Sequence, residues 1–210
     1  MLYNKKIAEK VSKYLLQSKA IILDPKNLFT WSSGIQSPIY CDNRILLSYV
    51  DYRIDIKNIF CEIIIQKYPE TNSICGIATG GIPQASLIAD KIKLPLMYVR
   101  SATKSHGRKK NIEGLIQKNQ NIIIIEDLIS TGNSAIRGAK QIKRNNCNIL
   151  AILSVFDYEF KISKENMNKN KFNSISLTNL TTTLKIGVKN NYITKKEKIF
   201  IEKWHNKIIK

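Results

Sequence analysis

Acidic residues are scarce in this chain: 16 Asp and Glu stand against 34 Lys and Arg, a net charge of +18. Such an imbalance raises the question of a nucleic-acid partner. Arginine is scarce too, with six residues (44, 53, 100, 108, 137 and 144), and the lysines are spread over the whole chain. A binding face concentrates its charge. Lys, Asn and Ile are all abundant, the joint signature of an AT-rich genome, so compositional drift accounts for the excess and no specific nucleic acid is expected as a partner. A positive field still helps attract a polyanionic small substrate. The four cysteines (41, 61, 75 and 147) show no CxxC spacing and no flanking His cluster. That argues against a disulfide framework or a zinc site and suits a reducing cytoplasm. Cys61, in a helical pattern, and Cys75, in an apolar stretch, are expected to be core thiols. No apolar run approaches the ~20 residues that span a bilayer. The opening residues, MLYNKK, lead into an amphipathic helix and not an apolar signal segment, so no membrane role is expected.

What is present describes a globular chain. Hydrophobic residues make up 43% and charged ones 24% of 210 residues, enough for one domain with a proper core. Ile7, Ala8, Val11, Tyr14 and Leu15 share one face of a helix over 4–18. Residues 29–44 read as two short strands around a Ser-Ser-Gly turn, and 50–67 as a helix. The pattern then alternates: strand 73–78, small-residue loop 79–82, helix 83–92, strand 95–99, polar loop 100–112, strand 121–125, loop 127–133, helix 134–144, strand 149–155. Alternation of this kind predicts an α/β fold, a mostly parallel central sheet with helices on both faces. Ligands of such sheets bind at the carboxyl ends of the strands. Beyond Tyr158 the pattern weakens to a polar connection over 161–171 and a C-terminal helix over 194–209 that carries Trp204.

Three loops leave those carboxyl ends. The run Ile122-Ile123-Ile124-Ile125-Glu126-Asp127-Leu128-Ile129-Ser130-Thr131-Gly132-Asn133-Ser134 joins a buried strand, an acidic pair and a small hydroxyl-rich turn that opens a helix. Backbone N–H groups and the positive end of the helix dipole suit a phosphate there. The carboxylates suit sugar hydroxyls, or a magnesium ion shared with phosphates. Together they propose a ribose phosphate. The loop Ala78-Thr79-Gly80-Gly81-Ile82-Pro83 lets backbone approach a ligand closely, or is a plain strand-to-helix turn with Pro83 at the first helical position. The loop Arg100-Ser101-Ala102-Thr103-Lys104-Ser105-His106-Gly107-Arg108-Lys109-Lys110 carries five basic residues. It reads as a solvated surface loop or as a cationic lid over an anionic ligand. His106 is a proton donor in the second reading and a hydrogen-bonded spectator in the first.

Glu126 through Ser134 resembles the 5-phosphoribosyl 1-diphosphate (PRPP) motif of type I phosphoribosyltransferases. Phe29-Thr30, Ser33-Gly34, Ser37-Pro38, the CDNR segment 41–44, Gly80-Gly81-Ile82-Pro83, Arg100, Lys104-x-His106-Gly107, Ile112-Glu113-Gly114 and Trp204 follow in the order of the orotate phosphoribosyltransferase family. The resemblance implies one domain over 1–210, with a small hood from about 1–45 plus the C-terminal segment on a core of about 50–158. It implies magnesium-dependent transfer of 5-phosphoribose from PRPP to orotate, in a cytoplasmic homodimer with shared active sites. Catalytic roles fall on Lys104, His106, Glu126 and Asp127. PRPP contacts extend to Arg100, Leu128, Ile129, Ser130, Thr131, Gly132, Asn133, Ser134, Gly80 and Gly81, with Ser130 also on the orotate. Magnesium is held mainly through PRPP, with no direct protein ligand implied. The chain departs from the enterobacterial form at Ser32, Gly80 and Ser101. It also lacks an arginine near Phe156-Asp157-Tyr158 for the orotate carboxylate. Arg44 is the candidate replacement, as a fixed fork suited to bidentate binding; its alternative is an ion pair with Asp42 or Asp51. The competing readings are a phosphoribosyltransferase for another base and a non-catalytic PRPP-sensing regulator or RNA-binding protein.

Overall fold

Strand β8 (Asn121–Ile129) forms the axis of the molecule, with Ile122 to Ile125 entirely buried. In the computed structural model, which describes residues 1–31, 33–101 and 111–208, a strand with apolar side chains on both faces needs cover on both. Ile123 and Ile125 point into one core with Phe60, Ile63, Ala85 and Ile88, and Ile122 and Ile124 into a second with Ala135, Ala139 and Ile142. The first core is roofed by α1 (Lys5–Gln17), α2 (Val50–Lys67) and α3 (Gly81–Ile92), the second by α4 (Asn133–Lys143) and α5 (Lys161–Lys169).

The six-stranded sheet runs β10 (Ser174–Asn179), β9 (Asn148–Asp157), β8, β5 (Ser73–Ile77), β6 (Leu96–Val99), β7 (Ile112–Glu113). Five strands are parallel and the short edge strand β7 is antiparallel to β6. The expected α/β architecture with helices on both faces is therefore present. Two small antiparallel pairs stand apart from this sheet: β1 (Ile21–Leu23) with β4 (Ile39–Cys41), and β2 (Phe29–Thr30) with β3 (Gln36–Ser37). The chain between them and α2 is a 3-10 helix, Asn43–Ser48, opened by Asp42.

Several boundaries differ from the sequence reading. Strand β8 continues through the acidic pair to Ile129, because Glu126, Leu128 and Ile129 stay in register with Ser154, Phe156 and Asp157 of β9. Helix α3 begins at Gly81, so Pro83 is its third residue and not its first. The polar connection over 161–171 is mostly the helix α5, which turns Ser163 and Met167 inward. Strand β10, in which Ser and Thr alternate with Ile and Leu, and α6 (Leu180–Lys189) follow; α6 is started by Asn179, whose side chain accepts from the Thr182 amide at 2.9 Å. The C-terminal helix α7 spans Lys195–Ile208. Cys61 and Cys75 are core thiols as expected, and burial pushes the Cys75 thiol up to about 12. No described helix is long and apolar enough to cross a membrane.

Candidate active site

Glu126 and Asp127 are consecutive in a strand, so their side chains leave opposite faces of the sheet. Glu126 points to the α4 side, where Ser134 Oγ donates to Glu126 Oε1 at 2.6 Å. Glu126 is 4% exposed. Burial, with the neighbouring Asp127 charge adding to it, pushes its carboxyl up to about 8. Asp127 points to the α3 side. Burial also raises its carboxyl, opposed by the Leu128 amide that donates to Oδ1 at 2.9 Å and by the charge of Arg44. The two acids therefore straddle the end of β8. Asn43 Nδ2 donates to the Asp127 carbonyl at 2.7 Å, pinning the strand end to the segment that precedes α2.

Beyond Ile129 the chain turns through Ser130, Thr131 and Gly132. Gly132 sits at φ 76°, ψ 0°, a left-handed conformation that glycine adopts freely, and it caps α4. Helical bonding starts with the Ile136 amide on the Gly132 carbonyl at 3.0 Å. The amides of Asn133, Ser134 and Ala135 accordingly have no acceptor within the helix, which is the anion-binding geometry the sequence proposed. Helix α5 supports this turn from behind. Asn166 Nδ2 donates to the Thr131 carbonyl at 3.1 Å, and a Cβ on Gly132 would meet Met167 Cε at 2.9 Å.

Gly80 and Gly81 lie beside the same strand end. A side chain at Gly80 would overlap the Asp127 carboxylate, and one at Gly81 would overlap the Ile125 carbonyl. These glycines thus bring the turn's backbone against the end of β8 itself. The peptide between Ala78 and Thr79 is cis. Arg100 ends β6, two strands from β8 and so ~10 Å away across the sheet. Its Nη1 donates to Glu113 Oε1 at 3.2 Å, and its amide donates to the Asn111 carbonyl at 2.8 Å. The two feet of the basic loop are joined there as a hairpin. Gly114, at φ 96°, brings the returning strand against Leu96 and Met97. Lys104 and His106 lie outside the described residues.

A cavity of about 670 Å³ adjoins the turn at Ser130 and Thr131. It is lined by Leu128, Ser130, Thr131 and Tyr158 from the ends of the sheet strands and by Thr30, Trp31, Ser33, Ile35, Tyr40, Cys41 and Arg44 from the segment that precedes α2. Trp31 is held edge-on to Tyr158 at 5.2 Å, and its Nε1 donates to the Ile39 carbonyl at 2.9 Å. Arg44 makes the alternative contact foreseen for it, a bidentate pair with Asp42 through Nε at 2.7 Å and Nη2 at 2.8 Å. It lines the cavity at the same time. Sequence reasoning missed Tyr40, Tyr158 and Asn43 as site residues; their segments match the family motif or the strand end, but no spacing rule assigns those side chains. Of the residues singled out, Glu126 to Ser134, Gly80, Gly81 and Arg44 lie at this sheet edge, Arg100 stands two strands away, and Lys104 and His106 fall outside the described residues.

The phosphoribosyl transferase domain family model matches residues 52–183. The orotate phosphoribosyltransferase of Enterococcus faecalis is 40% identical over 199 residues, covering 95% of each chain. The chain belongs to the orotate phosphoribosyltransferase family. Among solved structures, the family member from Aeropyrum pernix is 27% identical with a TM-score of 0.74, covering 83% of this chain and 96% of its own. UMP synthase of Leishmania donovani superposes with a TM-score of 0.81 at 25% identity. It is a longer protein: the match covers 96% of this chain but 43% of that one. The region of β8, its turn and α4 lies inside the matched domain, whereas residues 29–44 that wall the cavity lie outside it.

Proposed function

We propose that this chain transfers the 5-phosphoribosyl group of PRPP to orotate, giving orotidine 5′-monophosphate and diphosphate in pyrimidine synthesis. The observation that carries the reading is the shared wall of two compartments. Ser130 and Thr131 belong both to the phosphate turn and to the aromatic-lined cavity. A phosphate at the turn and a planar base in the cavity are then joined by one ribose above Glu126 and Asp127.

A ring nitrogen of orotate attacks C1 of the ribose. The N–C1 bond forms as the C1–O bond to diphosphate breaks. The electron pair departs with the diphosphate, and the proton lost from the ring nitrogen passes to that diphosphate or to water. No enzyme nucleophile is required. The amides and hydroxyls from Ser130 to Ser134 grip the 5-phosphate, while Leu128 and Ile129 set the strand end. Asp127 and Glu126 accept from the ribose hydroxyls and face the positive charge that grows on the ring. Without ligand, Glu126 keeps its proton up to about pH 8; positive charge developing above it favours the ionised form. Gly80 and Gly81 leave room for the diphosphate, which Arg100, Lys104 and His106 hold. Ser130 and Arg44 face the orotate, Arg44 exchanging part of its pairing with Asp42 for the orotate carboxylate.

Magnesium is the cofactor of this reaction, and the residues present fit it. Among the described residues no group of three or more His, Cys, Asp and Glu could cage an ion. Magnesium is commonly held by substrate phosphates, waters and at most one or two carboxylates, and the carboxylates nearest the diol are Glu126 and Asp127. When bound, the ion neutralises charge on the diphosphate.

The working unit of this proposal is a cytoplasmic homodimer in which each lid completes the partner's site. Each protomer is a single domain whose hood, about 1–45 with the C-terminal segment, covers a core of about 50–158. Exposed apolar side chains support a partner: Leu96 and Leu115 lie at the end of the β6–β7 ribbon away from Arg100 and Asn111, and Val50, Ile54 and Ile65 lie along one stripe of α2. The test is spectrophotometric: orotate is consumed only with PRPP and magnesium present. Turnover of a purine base in place of orotate would overturn the assignment.

A further inference from the structure

Trp204 and His205 are adjacent on α7, and successive positions of a helix diverge by about 100°. Each reaches the backbone of a different wall of the cavity. Trp204 Nε1 donates to the Gln36 carbonyl at 2.8 Å, and His205 Nε2 meets the Tyr158 carbonyl at 2.6 Å. A carbonyl only accepts, so Nε2 of His205 carries the proton. Gln36 belongs to the β2–β3 hairpin, which brings Thr30, Trp31 and Ile35 to the cavity, and Tyr158 lines it from the end of β9 in edge contact with Trp31.

Ring contacts reinforce both ties. Trp204 lies edge-on to Trp31 at 5.8 Å. His205 stacks on Phe160 at 4.9 Å, and Phe160 stacks on Tyr158 at 5.4 Å. The hairpin is not bonded into the six-stranded sheet. Among the described residues, the bond from Trp204 is the only hydrogen bond to residues 29–37 from beyond residue 49.

We propose that Trp204 and His205 are positioning residues for the base, a clasp on the C-terminal helix that holds the β2–β3 hairpin and the Tyr158 segment together around the cavity. The inference rests on the phosphoribosyl-transfer reading of that cavity. Neither side chain lines the cavity; both act through Gln36 and Tyr158, and through the rings of Trp31 and Phe160. The acceptor base should feel the clasp, and the PRPP turn on the far side of Ser130 should not.

The test uses three variants of the full chain. Trp204→Phe keeps a ring and removes the N–H; His205→Ala removes the second tie; His205→Gln restores an N–H donor. The KM for orotate should rise ~5–10-fold in the first two, the effect of one lost hydrogen bond, with kcat and the KM for PRPP within about twofold. Gln at 205 should recover most of the loss. In the substrate-free protein, amide hydrogen exchange over 28–40 should quicken in Trp204→Phe while exchange over 121–129 holds. An orotate KM unchanged in both variants overturns the clasp. So does a uniform rise in exchange with kcat and both KM values altered alike. Wild-type inactivity toward orotate would count against the reaction, and the exchange over 28–40 would still decide the clasp.

Discussion

The two compartments of the site are built in opposite ways. The proposed phosphate turn is one stretch of chain: β8 delivers Glu126 and Asp127, Gly132 reverses direction, and α4 presents its first amides, all within about ten residues. The proposed base cavity draws on residues 30–44, on 128–131, on Tyr158 and, behind them, on Trp204 and His205. A contiguous stretch is positioned by local bonding and by the buried strand beneath it. A discontinuous cavity is positioned by tertiary ties, and a single lost tie moves one wall. Damage in the first region should therefore appear in turnover and PRPP handling, and damage in the second in affinity for the base.

The largest expected effect is that of Asp127→Asn. Removing a charge aimed at the developing oxocarbenium should lower kcat ~10²–10³-fold while the orotate KM changes only a few-fold. Equal loss of orotate affinity would erase the distinction between the compartments. Lys104→Ala should follow, with turnover down ~10²-fold and PRPP binding little changed if the lid acts in the transition state; single-turnover kinetics separate the two. Arg44→Lys leaves the charge but removes the fork. It should raise the orotate KM about tenfold and leave the PRPP KM in place; the reverse pattern would move Arg44 to the donor half.

Two smaller effects probe the strand end through stability. A methyl at Gly80 would overlap the Asp127 carboxylate. Gly80→Ala should cost ~1–3 kcal/mol and raise the PRPP KM, and a variant as stable as the parent would show that Asp127 moves freely. Glu126 gives a pH signature. Its folded carboxyl titrates near 8, against an ordinary 4.5. The native state therefore holds the proton more tightly than the unfolded chain. The stability this contributes is complete below about 4.5 and is lost as pH rises through 8. Glu126→Gln has no such loss, so its advantage in Tm over the parent should grow from pH 5 to pH 8 by about 4 °C or more. A constant difference across that window would contradict the buried, protonated state.

The same contrast explains what the sequence disclosed. The four isoleucines, the acidic pair and the Ser-Thr-Gly turn are adjacent, so periodicity and turn chemistry suffice to propose a ribose phosphate there. Helix α2 was legible to the residue, Val50–Lys67. Helix α5 was not. Its sequence KISKENMNK is polar, and only Ser163 and Met167 are buried, too few to set a helical period, yet it supports Gly132. Strand β10 was lost because Ser and Thr alternate with its Ile and Leu, and Ser176 and Thr178 are buried through bonds to Ser154 of β9 and Ser12 of α1. Buried hydroxyls paired across elements look like loop residues until the partner is known. The opposed directions of Glu126 and Asp127 follow from strand pleating, but only once the strand is known to run past Ile125.

Orotidine 5′-monophosphate spans both compartments, so a crystal structure of its complex is the most direct test. The account predicts the phosphate on the amides and hydroxyls between Ser130 and Ser134, the ribose hydroxyls at Glu126 and Asp127, and the base between Leu128 and Trp31 within reach of Arg44. A nucleotide with its phosphate away from that turn, or with its base outside the cavity walled by Trp31 and Tyr158, would contradict it.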